Sequence, residues 1–414
     1  MDMKKCIAYG LYDWANSIWP TVVNAFVISA YFAKSVASTP EQGAILWGHM
    51  SAIVGLILAF FSPLMGAIID QNHNEKKMVM VLTALCMAAS LGLWWAYPEV
   101  QYTFLVLIVV GLGSVFSELA FVPYNSLLGR LFPRENWGKV SAWGFSLGYF
   151  GGIVALVLCL FGLVLNPEWL GLDSGSAEQI RVLGPIMAVW MGVFSIPLFL
   201  VKAPVTNHYP LVTCFRRGLI ALKKTFAQVK QHRKIVSFLL AHMFYMDGLT
   251  TVFAFAGIYA ANVFGMSLKE VMMFGIASQF FAGLGAWVFG WVDYYLGSDR
   301  SLMLALVLFI MMAIPVIVAE QVIYFYIFGL MCSMLIGPIQ SSSRTLITQW
   351  VPKEQRTEMF GFFMLSGKVT SFLGPFLMAL VISYFHSQRL GMLSSLILLM
   401  LGTGLYARVL YKYI

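Results

Sequence analysis

Residues Tyr102 to Leu128 read YTFLVLIVVGLGSVFSELAFVPYNSLL, an apolar run broken by one carboxylate, Glu118. At 1.5 Å per residue a helix of this length measures about 40 Å, more than the roughly 30 Å hydrocarbon core of a bilayer. The run therefore predicts a membrane-spanning helix. A charge at the centre of such a helix costs roughly 2.5–3.5 kcal/mol on insertion scales, so Glu118 is expected to face a partner, a cavity or a transported solute.

Outward from this stretch the chain repeats the pattern. Apolar runs of spanning length occur at Ile7–Ala33, Ala44–Ile69, Met78–Tyr97, Tyr102–Leu128, Val140–Leu165 and Ile180–Val201. A second set occurs at Ile235–Phe264, Val271–Leu296, Ser301–Ala319, Val322–Trp350, Glu358–Phe385 and Leu390–Tyr411. The whole chain of 414 residues is 60% hydrophobic and 11% charged, against about 45–50% and about 25% in soluble domains. The expectation is an all-α membrane protein of twelve transmembrane helices.

Basic residues fix its orientation, because cytoplasmic loops retain Lys and Arg. Lys4, Lys5, Lys76, Lys77, Arg130, Arg134, Lys139, Arg300, Lys353, Arg356, Arg408 and Lys412 fall on one side, against Lys34, Arg181, Lys269 and Arg389 on the other. Both termini are thus expected in the cytoplasm, with a bacterial inner membrane as the location. The net charge of +8 is then topological and implies no nucleic-acid partner. Asp13 and Asn16 interrupt the first apolar run, which reads as an uncleaved helix and not as a signal peptide. Cys6, Cys86, Cys159, Cys214 and Cys332 are scattered and form neither a disulfide framework nor a metal signature. No cofactor and no metal are expected.

Between Lys202 and Lys234 the sequence is basic and holds no acid, as suits a cytoplasmic linker lying at anionic headgroups. It divides residues 1–201 from 235–414, six spans from six. The halves echo each other. Phe132-Pro-Arg-Glu135 returns as Val351-Pro-Lys-Glu354 at an offset of 219 residues, which also carries Gly148 onto Gly367, Asn125 onto Arg344 and Tyr149 onto Lys368. Asp13 after Tyr12 is matched by Asp247 after Tyr245, and Gly66-x-x-x-Asp70 by Gly290-x-x-Asp293. Repeated six-helix halves are the trace of transporters that rock one bundle against the other around a midplane site.

Gly66-Ala-Ile-Ile-Asp70, followed by Lys76 and Lys77, resembles the loop signature of the major facilitator superfamily. Two longer blocks are similar to its vacuolar amino-acid effluxer branch, which includes autophagy-related exporters and bacterial relatives. One is Tyr12-Asp-Trp-Ala-Asn-Ser17. The other runs from Ser343-Arg-Thr-Leu346 through Val351-Pro-Lys-Glu354, Phe360-Gly-Phe-Phe363 and Ser366-Gly-Lys-Val369 to Gly374-Pro375. Tyr124-Asn-Ser-Leu-Leu128 and Gly148-Tyr-Phe-Gly-Gly152 fit the same branch. Gln71 stands where the signature carries a base. The resemblance implies the major facilitator fold, two pseudo-symmetric six-helix bundles whose first, fourth, seventh and tenth helices line a central cavity. It also implies transport of an amino acid or related metabolite by alternating access.

Asp13, Glu118, Asp247 and Arg344 lie on those four helices, and Lys368 on the eleventh. Residues three, four and seven apart share a helix face. Glu118 thus aligns with Ser114, Phe121 and Asn125, Arg344 with Gly337, Ser341 and Thr348, Asp13 with Asn16 and Ser17, and Asp247 with Thr250 and Thr251. Arg344 offers a planar fork and Lys368 a point charge for a carboxylate-bearing solute. Asp247, Asn125, Tyr124, Tyr149 and Asn16 complete the expected binding set. Glu118, Asp247 and Asp13 are the candidate proton carriers, with another cation as the alternative coupling ion. Asp70, Asp293, Lys76 and Arg300 are the expected gate residues. The competing reading of these charges is a set of internal ion pairs that only lock helices, with Asp13 held by Tyr12 or a helix N-terminus. Membrane lipids are the other expected partner, and a monomer is expected. A lipid, amphiphile or siderophore cargo, or a non-transporting sensor, are the alternatives. A membrane enzyme is disfavoured, since no nucleophile elbow, phosphate loop or metal-spaced cluster appears.

Overall fold

The computed structural model describes residues 3–72, 75–133, 137–201, 233–350, 363, 366–367 and 370–413. Among them the regular structure is helical throughout. The long helices in chain order are α1 (Met3–Asn16), α2 (Pro40–Asn72), α3 (Glu75–Gly92), α4 (Thr103–Leu131), α5 (Trp137–Cys159) and α6 (Leu183–Leu200). They continue as α7 (Arg233–Val263), α8 (Leu268–Leu296), α9 (Ser298–Val318), α10 (Val322–Trp350), α11 (Leu373–Phe385) and α12 (Gln388–Tyr413). Nine helical segments among the described residues are long and apolar enough to cross a membrane. Large apolar side chains such as Phe104, Leu200 and Val318 project outward, as lipid-facing residues do and as a soluble surface avoids.

In two of the spanning segments an irregularity has a clear local setting. Beyond α1 the chain enters a wider π-helical turn at Trp19–Phe26, with Val27 N–H donating to the Val22 carbonyl at 2.9 Å. Pro20 opens this turn: it has no N–H to give the preceding turn, and the register slips by one residue. Ahead of α11, residues Thr370–Phe372 form a turn, with Leu373 N–H donating to Thr370 at 2.8 Å. The described part of α11 therefore begins inside the apolar run, and Gly374 and Pro375 lie in its first turn.

The chain divides into two compact units. The first comprises Met1–Gly43, Phe60–Ala221 and Ser267–Gly275. Here α1 packs on α5 and α6, and α3 on α4 and α6. The second comprises Ala44–Ala59, Leu222–Met266 and Ile276–Ile414. Here α7 packs on α12, α10 and α11, and α9 on α10 and α12. The order of neighbours is thus the same in each half. Glycines permit the close approaches. A Cβ on Gly285 of α8 would lie 1.7 Å from the Met334 carbonyl of α10, and one on Gly402 of α12 would lie 2.3 Å from the Tyr245 nitrogen of α7.

Candidate functional site

In the first unit the polar residues of α1 and α4 find each other. Asp13, half-buried, has its Oδ2 2.6 Å from the Tyr124 hydroxyl, which is also 2.9 Å from the Tyr9 carbonyl. Tyr9 and Tyr124 stack at 4.2 Å between ring centroids. Gly144 of α5 makes room for the carboxylate, since a Cβ there would lie 2.3 Å from Asp13 Oδ2. Tyr12, expected as a possible holder of Asp13, instead hydrogen-bonds Thr83 of α3 at 2.9 Å.

One turn further on, Asn16 donates to the Ser117 carbonyl at 3.3 Å and accepts from the Ser117 hydroxyl at 3.1 Å. Trp19 Nε1 then donates to Ser114 Oγ at 3.0 Å, and Ser114 to Asn24 Oδ1 at 3.0 Å. Gly113 leaves space for the Trp19 ring, which would otherwise meet a Cβ at 2.1 Å. Glu118 and Tyr149 are half-buried and Asn125 is exposed. The stripe read on α4 is therefore spread from a buried Ser114 to an exposed Asn125.

In the second unit Asp247 is 1% exposed. Its Oδ2 accepts the Gly374 N–H at 3.0 Å, one of the N–H groups left open in the first turn of α11. Its Oδ1 and the hydroxyl of Thr251, one turn along α7, have no hydrogen-bond partner among the described residues. A Cβ on Gly374 would lie 2.1 Å from that hydroxyl and 2.9 Å from Oδ1, so only glycine admits the carboxylate here. Tyr245 hydrogen-bonds Ser343 of α10 at 2.7 Å, and because Ser343 gives its proton to the Ile339 carbonyl, Tyr245 is the donor. By the same logic His242 Nδ1 donates to Ser366 at 2.8 Å, since that hydroxyl is spent on Phe363. Arg344 is half-buried on α10. Lys368 lies outside the described residues.

Of the expected gate residues, Asp293 at the end of α8 accepts from Ser342 of α10 at 2.8 Å and from Ser298 at 3.1 Å. Lys76 donates to the Val201 carbonyl, just past the end of α6, at 2.8 Å. Arg300 is exposed, and the Asp70 side chain is outside the described set. Glu75, buried at the start of α3, pairs with Arg130 of α4 at 2.7 Å. The basic linker, apart from Arg233 and Lys234, also lies outside the described residues, as do Val351 to Glu354.

Sequence reading missed Tyr9, Thr83, Ser117, Asn24 and Glu75, and gave Ser343 no part beyond its motif. Each is an ordinary residue whose role comes from a partner on another helix. The available signal was a polar side chain within an apolar run, and Asn24 carried it.

The family model described as vacuole effluxer Atg22 like matches residues 133–412. An MFS-type transporter of Bacillus subtilis, YxiO, is 26% identical over 411 residues, which cover 96% of this chain and 93% of that protein. Autophagy-related protein 22 of Cryptococcus neoformans is 25% identical over 293 residues, covering 66% of this chain and 52% of that protein. Among solved structures, a D-xylose–proton symporter superposes with a TM-score of 0.73 at 13% identity, covering 100% of this chain and 98% of the other. A bacterial homologue of the lysosomal transporter Spinster, inward-facing and unoccupied, gives 0.70 at 14% identity and covers 99% of this chain and 97% of the other. The fold is the major facilitator fold.

Proposed function

The chain belongs to the vacuole effluxer Atg22-like family, and from that premise we propose that it moves a small polar organic solute, an amino acid or related carboxylate-bearing metabolite, by alternating access coupled to protons. That it is a multi-pass transporter of major facilitator type follows from its family and relatives. The finer reading is carried by Asp247, a fully buried carboxylate on a spanning helix with one oxygen unbonded among the described residues. An ionised group in that position costs several kcal/mol. It therefore holds a proton in this arrangement, or takes the ammonium of a solute when the surroundings open. Asp13 supports the same reading. The single Tyr124 proton faces two acceptors, and both contacts become hydrogen bonds only when Asp13 itself donates.

In this scheme Arg344 and Lys368 take the solute carboxylate, Asn16, Tyr124, Asn125 and Tyr149 contribute polar contacts, and Glu118 shares the proton work. Asp70, Asp293, Lys76 and Arg300 govern opening. Residues 202–234 form the cytoplasmic linker between bundles 1–201 and 235–414, in a bacterial inner membrane.

The test is counterflow and efflux in liposomes carrying purified protein, with an amino-acid mixture inside and a proton gradient imposed or absent. The expected result is gradient-driven movement of one or a few solutes, with Asp247→Asn retaining exchange but losing the response to the gradient. Full gradient response in Asp247→Asn removes it as carrier, and wild-type transport in Arg344→Ala removes the carboxylate assignment.

A further inference from the structure

Each unit carries an arginine near the start of its sixth helix that reaches the end of its third. In the first unit Arg181 Nε donates to the Trp94 carbonyl at 2.8 Å, and in the second Arg389 Nη1 donates to the Ile317 carbonyl at 3.0 Å. A tyrosine from the first apolar run of each unit joins them: Tyr31 donates to Ala96 at 2.7 Å, and the Tyr259 hydroxyl lies 3.4 Å from the Val316 and Ile317 carbonyls. The cation meets the negative end of a helix dipole in both places.

The rest of the two environments differs. Arg181 is 3% exposed. Its Nη1 reaches the carbonyl and hydroxyl of Ser176 at 3.3 and 3.4 Å, and its guanidinium lies over Tyr97 at 3.5 Å and Trp94 at 4.9 Å. Ser176 belongs to the long connection ahead of it, Leu165 to Ala177, and the two rings to the segment that follows α3. Arg389 follows a connection of only His386 and Ser387. It is half-buried, and no carboxylate pairs with it among the described residues. Beside it a groove of about 410 Å³ runs along α9 and α12, walled by Ile314, Val318, Leu390 and Leu393. The volume is in the range of ligand sites, about 300–1,000 Å³.

We propose that this groove binds an anionic phospholipid, with an acyl chain along the α9–α12 wall and the phosphate on the free donors of Arg389. The charge and the place agree: a guanidinium with open N–H donors at the end of two spanning helices, beside an open apolar groove, matches a phosphodiester attached to hydrocarbon. The first turn of α12 adds the positive end of its dipole. The lipid phosphate provides for Arg389 the acceptor oxygens that Ser176 of the Leu165–Ala177 connection provides for Arg181.

Native mass spectrometry of the full-length protein in mild detergent tests this, with palmitoyl-oleoyl phosphatidylglycerol and the phosphatidylcholine of the same chains in equal amounts. Wild type is expected to retain phosphatidylglycerol about fivefold over phosphatidylcholine, the preference one basic residue gives at a membrane surface. Arg389→Gln is expected to abolish that preference and Arg389→Lys to keep part of it. Leu393→Trp, which fills the groove and leaves the arginine, is expected to lower retention of both lipids, and it decides the matter if Arg389→Gln fails to fold. Glycerophosphoglycerol, the headgroup without chains, is expected not to compete. Unchanged preference in Arg389→Gln, full retention in Leu393→Trp, or competition by the bare headgroup overturns the proposal.

Discussion

Tyr124 has one hydroxyl proton and two oxygens to give it to, Asp13 Oδ2 and the Tyr9 carbonyl. Its role thus depends on whether Asp13 is charged. Replacing it by Phe removes the donor and leaves the carboxylate in the same packed place against Gly144. The expected loss of stability is about 1–3 kcal/mol, the cost of stripping a hydrogen bond from a buried group. Thermal unfolding in detergent reads this loss. In a double-mutant cycle with Asp13→Asn the two losses should fail to add, because the residues act on one bond. Additive losses would mean that the tyrosine acts through its ring stack on Tyr9 alone. The acids at 13 and 247 stood out in the sequence because a carboxylate in an apolar run is costly and calls for a partner. Their partners were not, since Tyr124 is a common residue over 100 positions from Asp13 along the chain.

At the scale of the helix, close packing and end capping are the controlling terms. Gly283 and Gly285 lie two residues apart on α8, yet a Cβ at Gly283 meets nothing within 4 Å while one at Gly285 strikes the α10 backbone. Gly283→Ala is therefore expected to be neutral or stabilising by up to about 1 kcal/mol through helix propensity. Gly285→Ala should cost about 1–3 kcal/mol through overpacking. Equal melting temperatures for the two variants would contradict this. The start of α8 adds a pH-dependent contribution. The Ser267 hydroxyl, and after it the Ser267 N–H, bonds the Glu270 carboxylate and holds its pKa below the ordinary value, while Ser267 Oγ accepts the Glu270 N–H. This is a capping box. Because the folded pKa is depressed, its stabilisation is present above the unfolded value of about 4.3 and is lost as pH falls through the folded one. Wild type should melt higher than Glu270→Gln at pH 7, and the gap should close in acid below about pH 4. A gap that stays constant from pH 7 to pH 3 would rule the carboxylate out.

At the scale of the molecule, each unit fastens its third helix to its sixth at both ends. Arg181 and Lys76 do so in the first, and Arg389 with the Tyr406 hydroxyl on the Asp299 carbonyl does so in the second. Arg181→Gln removes charged hydrogen bonds and two ring contacts at once, and is expected to destabilise the protein by about 2–4 kcal/mol. Thermal unfolding of the purified variant measures it, and a shift within error of wild type would show the clamp to be dispensable. The echo between Arg181 and Arg389 escaped the sequence comparison because neither arginine stands in a repeated motif, and the connection ahead of α12 is the shorter. By itself, the sequence determined that the chain spans a membrane in two repeated halves and which ionisable groups stand within its apolar runs. Hydropathy and the cost of a buried charge act on each stretch of chain locally. Tertiary structure decided that Tyr124 and not Tyr12 meets Asp13, that Asp247 closes the first turn of α11, and that Arg389 is left open where Arg181 is covered. Those outcomes depend on ångström-scale contact between helices far apart in the chain, and hydropathy and spacing carry no record of it.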